Sequence, residues 1–347
     1  MLLIIISHWV RTIYHENRYV DFCDYIIPID LPSDDLYSVF LVSLKYLGIV
    51  GNNLFLVASI WFLLDSNSIN VRKMLRMECN ILFASVSIML VFCFFWHSSI
   101  DNLLVFSSFF PTLFNNNWFV SCYFLLYFIH PILNKIINEI PKEYFKKLCI
   151  ALILLYGIFQ MLISGVLFAS KLIDWISVYL CIGYFKKFMI NQIQFSIKKY
   201  VFVALGTFSA LVFLIFVTNY CALLNKSTEI SLLKWDKDYN VFVVSFALSV
   251  FCIVKNSCFH NIIINRISSV LFLVYVIHEN IFVRYYLRPS ILQSLSQAHV
   301  CGSLIQHILI LSVITYVLSL ILGFVINYIV DFLYKNITKY AYFNSKL

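Results

Sequence analysis

The apolar residues of this chain are gathered into long runs that short polar segments separate. A membrane-spanning helix needs about 20 consecutive, mainly apolar residues. Nine runs are long enough, and they cover residues 40–64, 78–96, 117–137, 148–169, 172–190, 200–222, 239–255, 267–284 and 303–333. Because only helices and closed barrels satisfy their backbone in lipid, these runs predict an all-α fold, a polytopic bundle of membrane-spanning helices.

A further apolar run, residues 1–10, has only half the length of a span. It has no basic segment before it and no small-residue cleavage site, so it is not typical of a signal peptide. We expect about ten upstream residues to complete this helix, which would give a core of ten helices with both termini on the same side. We interpret residues 1–347 as a single membrane domain.

The composition supports a membrane protein. Hydrophobic residues make up 62% of the chain, charged residues make up 12%, and the mean hydropathy is +0.88. A soluble protein carries about 25% charged residues, and its core could not bury so much apolar surface. Lipid accommodates that surface because it replaces water around most of the protein.

The net charge of +8 raises the question of a nucleic-acid partner. The basic residues, however, lie in short clusters between apolar runs, which is the pattern that sets membrane topology. The clusters follow residues 40–64, 117–137, 172–190 and 239–255, and one closes the chain. We therefore predict that these loops are cytoplasmic and expect no nucleic acid as partner. The segments predicted to face outward are 11–39, 97–116, 223–238 and 285–302.

The first candidate for chemistry is His8, which stands beside Trp9 at the end of the opening apolar run. Histidine changes protonation near neutral pH and so can act as a general base. The alternative is structural, because polar and aromatic residues often anchor a helix at the membrane surface.

The predicted span 40–64 contains small and polar residues between positions 48 and 59. Gly48 and Gly51 permit another helix to approach closely. Asn52, Asn53 and Ser59 are polar groups at membrane depth and need partners. Simple helix packing is the alternative explanation for the whole run.

The second candidate is a basic cluster of Arg72, Lys73 and Arg76. Three cations within five residues could bind phosphates through charge-assisted hydrogen bonds. The alternative is that the cluster only sets the topology.

The third candidate is the adjacent pair His278 and Glu279, late in the 267–284 run. Ionisable residues within a membrane span are costly unless they have partners, and they often mark functional sites. Consecutive helical residues point about 100° apart, so we expect the two side chains to face different partners. The alternative is a polar cap at the outer end of this helix.

Six short motifs occur in order along the chain. They are Ile6-Ser7-His8, the glycine-to-serine run 48–59, the basic run 73–76, Asn117-Trp118-Phe119 with Tyr127 and Pro131, the tyrosine-to-glycine run 179–183, and the run 272–280 that contains His278 and Glu279. In this order they resemble the membrane acyltransferase 3 family. Ile60 replaces the glycine that the family carries after Ser59, and the family's first-helix arginine would lie among the expected upstream residues.

The resemblance implies a membrane-bound enzyme of the bacterial cytoplasmic membrane that O-acylates a glycan. It would take an acyl group, most simply acetyl, from cytoplasmic acetyl-CoA and transfer it to a hydroxyl of a cell-surface or lipid-linked glycan. Arg72, Lys73 and Arg76 would bind the donor phosphates, His8 would be the general base, and His278 and Glu279 would orient the acceptor or His8. The implied partners are acyl-CoA, the saccharide acceptor and membrane lipid, with no permanently bound cofactor and no metal.

Two other functions fit a polytopic helical bundle. One is a transporter or flippase for lipid-linked glycans, which would be indicated by helix-breaking pairs in repeated halves of the chain. The sequence has no such repeat. The other is an acyltransferase that is inactive because its first helix is incomplete.

Overall fold

The fold is described from a computed structural model, in which residues 1–13, 35–95, 100–162, 170–190, 196–224, 239–257, 260–297 and 304–344 are placed. These residues form helices and no strand. The α-helices are α1 Leu2–Ile13, α2 Asp35–Leu44, α3 Leu47–Leu63, α4 Val71–Phe95, α5 Asn102–Ser107, α6 Trp118–Glu139, α7 Lys142–Leu152, α8 Gln160–Leu162, α9 Lys171–Tyr184, α10 Ile197–Leu224, α11 Val241–Asn256, α12 Ile262–His278, α13 Arg288–Gln297 and α14 Leu304–Asn344. Three π-helical segments extend them, at Ile153–Phe159, Phe185–Met189 and Val283–Leu287.

Several of these helices have the length and apolar composition that a membrane requires. Five described helices qualify, namely Val71–Phe95, Trp118–Glu139, Lys142–Leu162, Ile197–Cys221 and Leu304–Asn336. A sixth qualifies if Ile262–His278 and Val283–Leu295, which are bent by 59°, form one span. The predicted all-α membrane fold is therefore confirmed. The count of ten spans stays a prediction, because the helices at Leu2–Thr12, Leu47–Leu63 and Val241–Asn256 are shorter.

Two predicted spans prove to be interrupted. The run 40–64 was expected to be one helix, but a turn at Lys45 and Tyr46 divides α2 from α3. The Ser7 hydroxyl of α1 donates a hydrogen bond to the carbonyl oxygen of Lys45, so this turn is held by the neighbouring helix. The helix predicted over 267–284 is also interrupted. Helix α12 ends at His278, and the chain bends before the next helical segment begins. Apolar composition alone does not reveal such breaks.

The glycines of α3 bring α1 close, as the sequence predicts. A Cβ atom on Gly48 would lie 2.5 Å from Ser7 Oγ, and one on Gly51 would lie 2.5 Å from Ile4 Cγ1. Side chains of α1 therefore occupy the space that a larger residue would fill. This packing fixes the position of α1 and of the histidine that it carries.

A polar network holds the connection between α3 and α4. The side-chain amide of Asn134 in α6 donates to the carbonyl oxygens of Leu63, at 2.9 Å, and Ser66, at 2.8 Å. The Tyr179 hydroxyl of α9 donates to Asn134 Oδ1 at 2.6 Å. Helices α6 and α9 thereby position the segment that leads into the basic cluster on α4.

We expect Tyr179→Phe to destabilise the protein measurably. The substitution leaves Asn134 Oδ1 buried without this donor, and an unsatisfied buried polar group costs about 1–3 kcal/mol. Thermal unfolding in detergent should show the loss. Tyr144→Phe on exposed α7 is the matched control and should be neutral, since Tyr144 is 70% exposed. Equal unfolding temperatures for Tyr179→Phe and wild type would show that this hydrogen bond does not stabilise the connection.

Candidate active site

The structure brings three of the predicted site residues together. His8 Nδ1 lies 2.7 Å from Glu279 Oε2 and 3.2 Å from His278 Nε2. The two imidazole rings stack with their centroids 5.3 Å apart. The side chain of His8 is 12% exposed and that of Glu279 is 7% exposed. Residues at opposite ends of the sequence thus form one buried cluster.

The hydrogen bonds of His278 indicate where the protons lie. Its Nδ1 is 2.7 Å from the carbonyl oxygen of Val274, which only accepts, so Nδ1 must be the donor. In the neutral ring Nε2 is then an acceptor that faces His8 Nδ1. The Glu279 carboxylate is also an acceptor when ionised, so His8 Nδ1 carries a proton and points it at both groups. A neutral His8 therefore has its free lone pair on Nε2, the form that a general base requires.

Glu279 is held by two arginines that the sequence analysis did not select. Arg288 lies 2.9 Å from Glu279 Oε2, and Arg284 lies 3.4 Å from Oε1. Their side chains are 4% and 17% exposed. A buried carboxylate needs such partners. The sequence could have pointed to Arg284, because this residue falls inside the predicted 267–284 run, where cations are rare.

The prediction that His278 and Glu279 face different partners is wrong. It assumed a continuous helix, but α12 ends at His278 and Glu279 lies in the turn that follows. Asn280 begins the next helical segment, because its side-chain oxygen accepts from the backbone N–H of Phe282 at 2.9 Å. This break lets two adjacent residues reach the same histidine.

The basic cluster of Arg72, Lys73 and Arg76 lies in the first turns of α4 and is exposed. Asn70 accepts from the backbone N–H of Lys73 at 2.9 Å and so caps this helix. Arg76 forms an ion pair with Asp331 of α14. Within the described chain, none of the three cations contacts His8, His278 or Glu279, so the structure separates the two groups of predicted site residues.

A cavity of about 210 Å³ is lined by residues that neighbour each of these two groups. Met77, one turn after Lys73 on α4, lines one part of it, and Tyr275 lines another. The Tyr275 ring meets the His278 ring edge to face, with centroids 5.6 Å apart. Asn52 and Ser59, two polar residues singled out on α3, also line the cavity, and Asn52 Oδ1 is buried with no hydrogen-bond partner among the described residues. The cavity is thus lined by a neighbour of the basic cluster and by a neighbour of His278, and it offers an acceptor for an N–H group.

The His8, His278 and Glu279 ligand atoms lie within 4.8 Å of one another, which is close enough to surround a metal ion. The charges oppose that use. Glu279 Oε2 already accepts from Arg288, and two guanidinium groups lie against one carboxylate. Because positive charge beside the cluster disfavours a cation, the arrangement suits proton transfer better than metal binding.

Comparison with known proteins identifies a family that this chain matches. A family model described as an acyltransferase domain matches residues 1–330. No curated protein and no solved structure matches the chain. The matched range includes every residue of the cluster and of the cavity.

Proposed function

Because the chain belongs to this acyltransferase family, we propose that it transfers an acyl group, most simply acetyl, from cytoplasmic acyl-CoA to a hydroxyl of a cell-surface or lipid-linked glycan. The observation that carries the proposal is the contact of His8 Nδ1 with Glu279 and His278, which leaves His8 Nε2 as the basic atom. The enzyme would work in the cytoplasmic membrane of a bacterium.

The donor would enter from the side of the basic cluster. Arg72, Lys73 and Arg76 offer cations for the phosphates of CoA, and the cavity beyond Met77 would receive the narrow pantetheine arm. Pantetheine contains amide N–H groups, and Asn52 Oδ1 is a buried acceptor that has no partner in the part of the chain that the structure describes. The thioester would then reach Tyr275 and the histidine pair.

The chemistry follows from the proton positions. His8 Nε2 takes the proton of the sugar hydroxyl while the hydroxyl oxygen attacks the thioester carbonyl carbon. The carbon–sulfur bond then breaks, the ester remains on the sugar, and the CoA sulfur leaves with the proton that His8 returns. Glu279 and His278 would hold His8 in the required tautomer. The net positive charge of Arg284 and Arg288 beside one carboxylate would favour the negative charge that develops on the carbonyl oxygen.

We expect Arg76→Ala to raise the KM for acyl-CoA about tenfold, and Arg72→Ala to raise it less, since a charge-assisted phosphate contact is lost. Arg76 occupies the last position of the basic motif and forms an ion pair with Asp331. The KM would be measured with purified protein over a range of acetyl-CoA concentrations.

Asp331→Asn distinguishes the loss of a phosphate contact from the loss of the ion pair, because this variant keeps Arg76 and removes only its carboxylate partner. Its KM should stay near that of wild type. A KM for Arg76→Ala equal to that of wild type would remove the phosphate role. A KM for Asp331→Asn as high as that for Arg76→Ala would assign the effect to the ion pair instead.

A further inference from the structure

A second cavity, of about 670 Å³, borders His278 and shares no lining residue with the first. It is a groove between α4 and α14, and His278 and Arg288 line one region of it. Apart from these two residues and three hydroxyl side chains, Ser87, Thr315 and Ser319, its lining is apolar. We call it the α4–α14 groove.

The α4–α14 groove is long and runs along the spanning helices. Its lining on α14 extends from Leu311 to Ile329, which corresponds to about 27 Å at 1.5 Å per residue. The hydrocarbon layer of a bilayer is about 30 Å thick. Leu322 in the lining is 47% exposed, so the groove opens on the outer surface of α14, where lipid would lie. An extended apolar chain could therefore enter sideways from the membrane.

One region of the α4–α14 groove is suited to an anion. Arg288 is only 3% exposed, and its Nε atom has no hydrogen-bond partner in the described chain. Its Nη2 atom donates to Glu279, and Arg288 lines the groove beside His278, so the guanidinium brings positive charge to this region. A phosphate group would be attracted to that charge, and arginine is suited to hydrogen-bond it.

We propose that the α4–α14 groove binds the acceptor as an amphiphile, a saccharide linked through phosphate to one long apolar chain. The chain lies along α14, the phosphate meets Arg288, and the saccharide reaches His8. This proposal rests on the proposed function, because the groove ends at the residues assigned to acyl transfer. The proposal favours a lipid-linked acceptor over a finished polysaccharide, since a polysaccharide has no apolar chain to fill the groove.

Binding of a long-chain polyprenyl phosphate to the purified full chain tests the proposal. The matched variants are Leu322→Trp, which fills the groove, and Ile321→Trp on the same helix. Ile321 is 55% exposed and does not line the groove. We expect Leu322→Trp to weaken binding about tenfold or more and Ile321→Trp to leave it unchanged.

Competition experiments distinguish the possible occupants. Phosphatidylglycerol, inorganic phosphate and palmitoyl-CoA should each displace the polyprenyl phosphate poorly. Displacement by phosphatidylglycerol would indicate an ordinary lipid site, displacement by inorganic phosphate a chain-independent anion site, and displacement by palmitoyl-CoA a donor site. Any of these results, or unchanged binding in Leu322→Trp, would overturn the proposal.

The proposed function can be judged separately with the same variants. Ile321→Trp, which changes a residue outside the groove lining, should acetylate a water-soluble saccharide fragment at the wild-type rate. Loss of this activity in Ile321→Trp would show that a tryptophan on α14 disturbs the site itself, which would contradict the groove as the cause of weaker binding in Leu322→Trp. Absence of acyl transfer by the wild type, with polyprenyl phosphate bound normally, would contradict the proposed function and leave the lipid site intact.

Discussion

Replacing His8 with alanine is expected to reduce the rate of acyl transfer by a factor of about 10²–10⁴, which is the usual contribution of a general base. The protein should still fold, because Glu279 keeps its contacts with Arg284 and Arg288 when His8 is absent. Transfer of labelled acetyl to the acceptor would be measured at equal amounts of purified protein. His8→Gln should be nearly as inactive, since an amide cannot take the proton.

The matched control is His260→Ala, which removes an exposed histidine that contacts Asn265. It should leave the rate unchanged. If His8→Ala were nearly as active as wild type, His8 would be only an anchor at the membrane surface. The role of base would then pass to His278, the other imidazole of the cluster.

Replacing Glu279 with alanine is expected to have the largest effect on stability. Its carboxylate is the described partner of Arg288, whose side chain is 4% exposed. Removing one member of a buried ion pair costs about 3–5 kcal/mol, because the remaining charge is left without compensation. We also expect loss of acyl transfer, since His8 loses the acceptor at 2.7 Å that fixes its proton on Nδ1.

A double variant separates these two consequences. Arg288→Ala in the Glu279→Ala background removes the uncompensated charge, so the unfolding temperature should recover in part while acyl transfer does not. Glu139→Ala is the control, because Glu139 is 66% exposed and its ion pair with Lys135 at 3.9 Å should contribute little. A Glu279→Ala protein as stable and as active as wild type would contradict both the ion-pair and the positioning roles.

The sequence was sufficient to select three members of the candidate site, but neither their arrangement nor the two arginines beside them. His8, His278 and Glu279 were selected because ionisable groups are rare in apolar runs, and the structure brings all three together. Their contact depends on the end of α12 at His278, which periodicity does not encode. Arg288 was missed because it lies beyond the predicted span, where a basic residue appears unremarkable.

The spans illustrate the same limit. Gly48 and Gly51 predicted close helix packing, and Ser7 and Ile4 occupy the space beside them. The turn that divides α2 from α3, in contrast, is tied to α1 by a tertiary hydrogen bond from Ser7. A single apolar run gives no sign of a bond to a helix nearly forty residues away. The predicted orientation of the basic loops remains a prediction that labelling from the two sides of the membrane would test.

The most direct measurement is a single-turnover reaction with purified protein in excess over acetyl-CoA that carries a labelled acetyl group. The acceptor is a lipid extract that contains lipid-linked saccharide. The account predicts that each cleaved thioester yields one base-labile acetyl ester on the saccharide, and that His8→Ala forms this ester about 10²–10⁴-fold more slowly. Label that appears only as free acetate, at the same rate in wild type and His8→Ala, would contradict acyl transfer by this site.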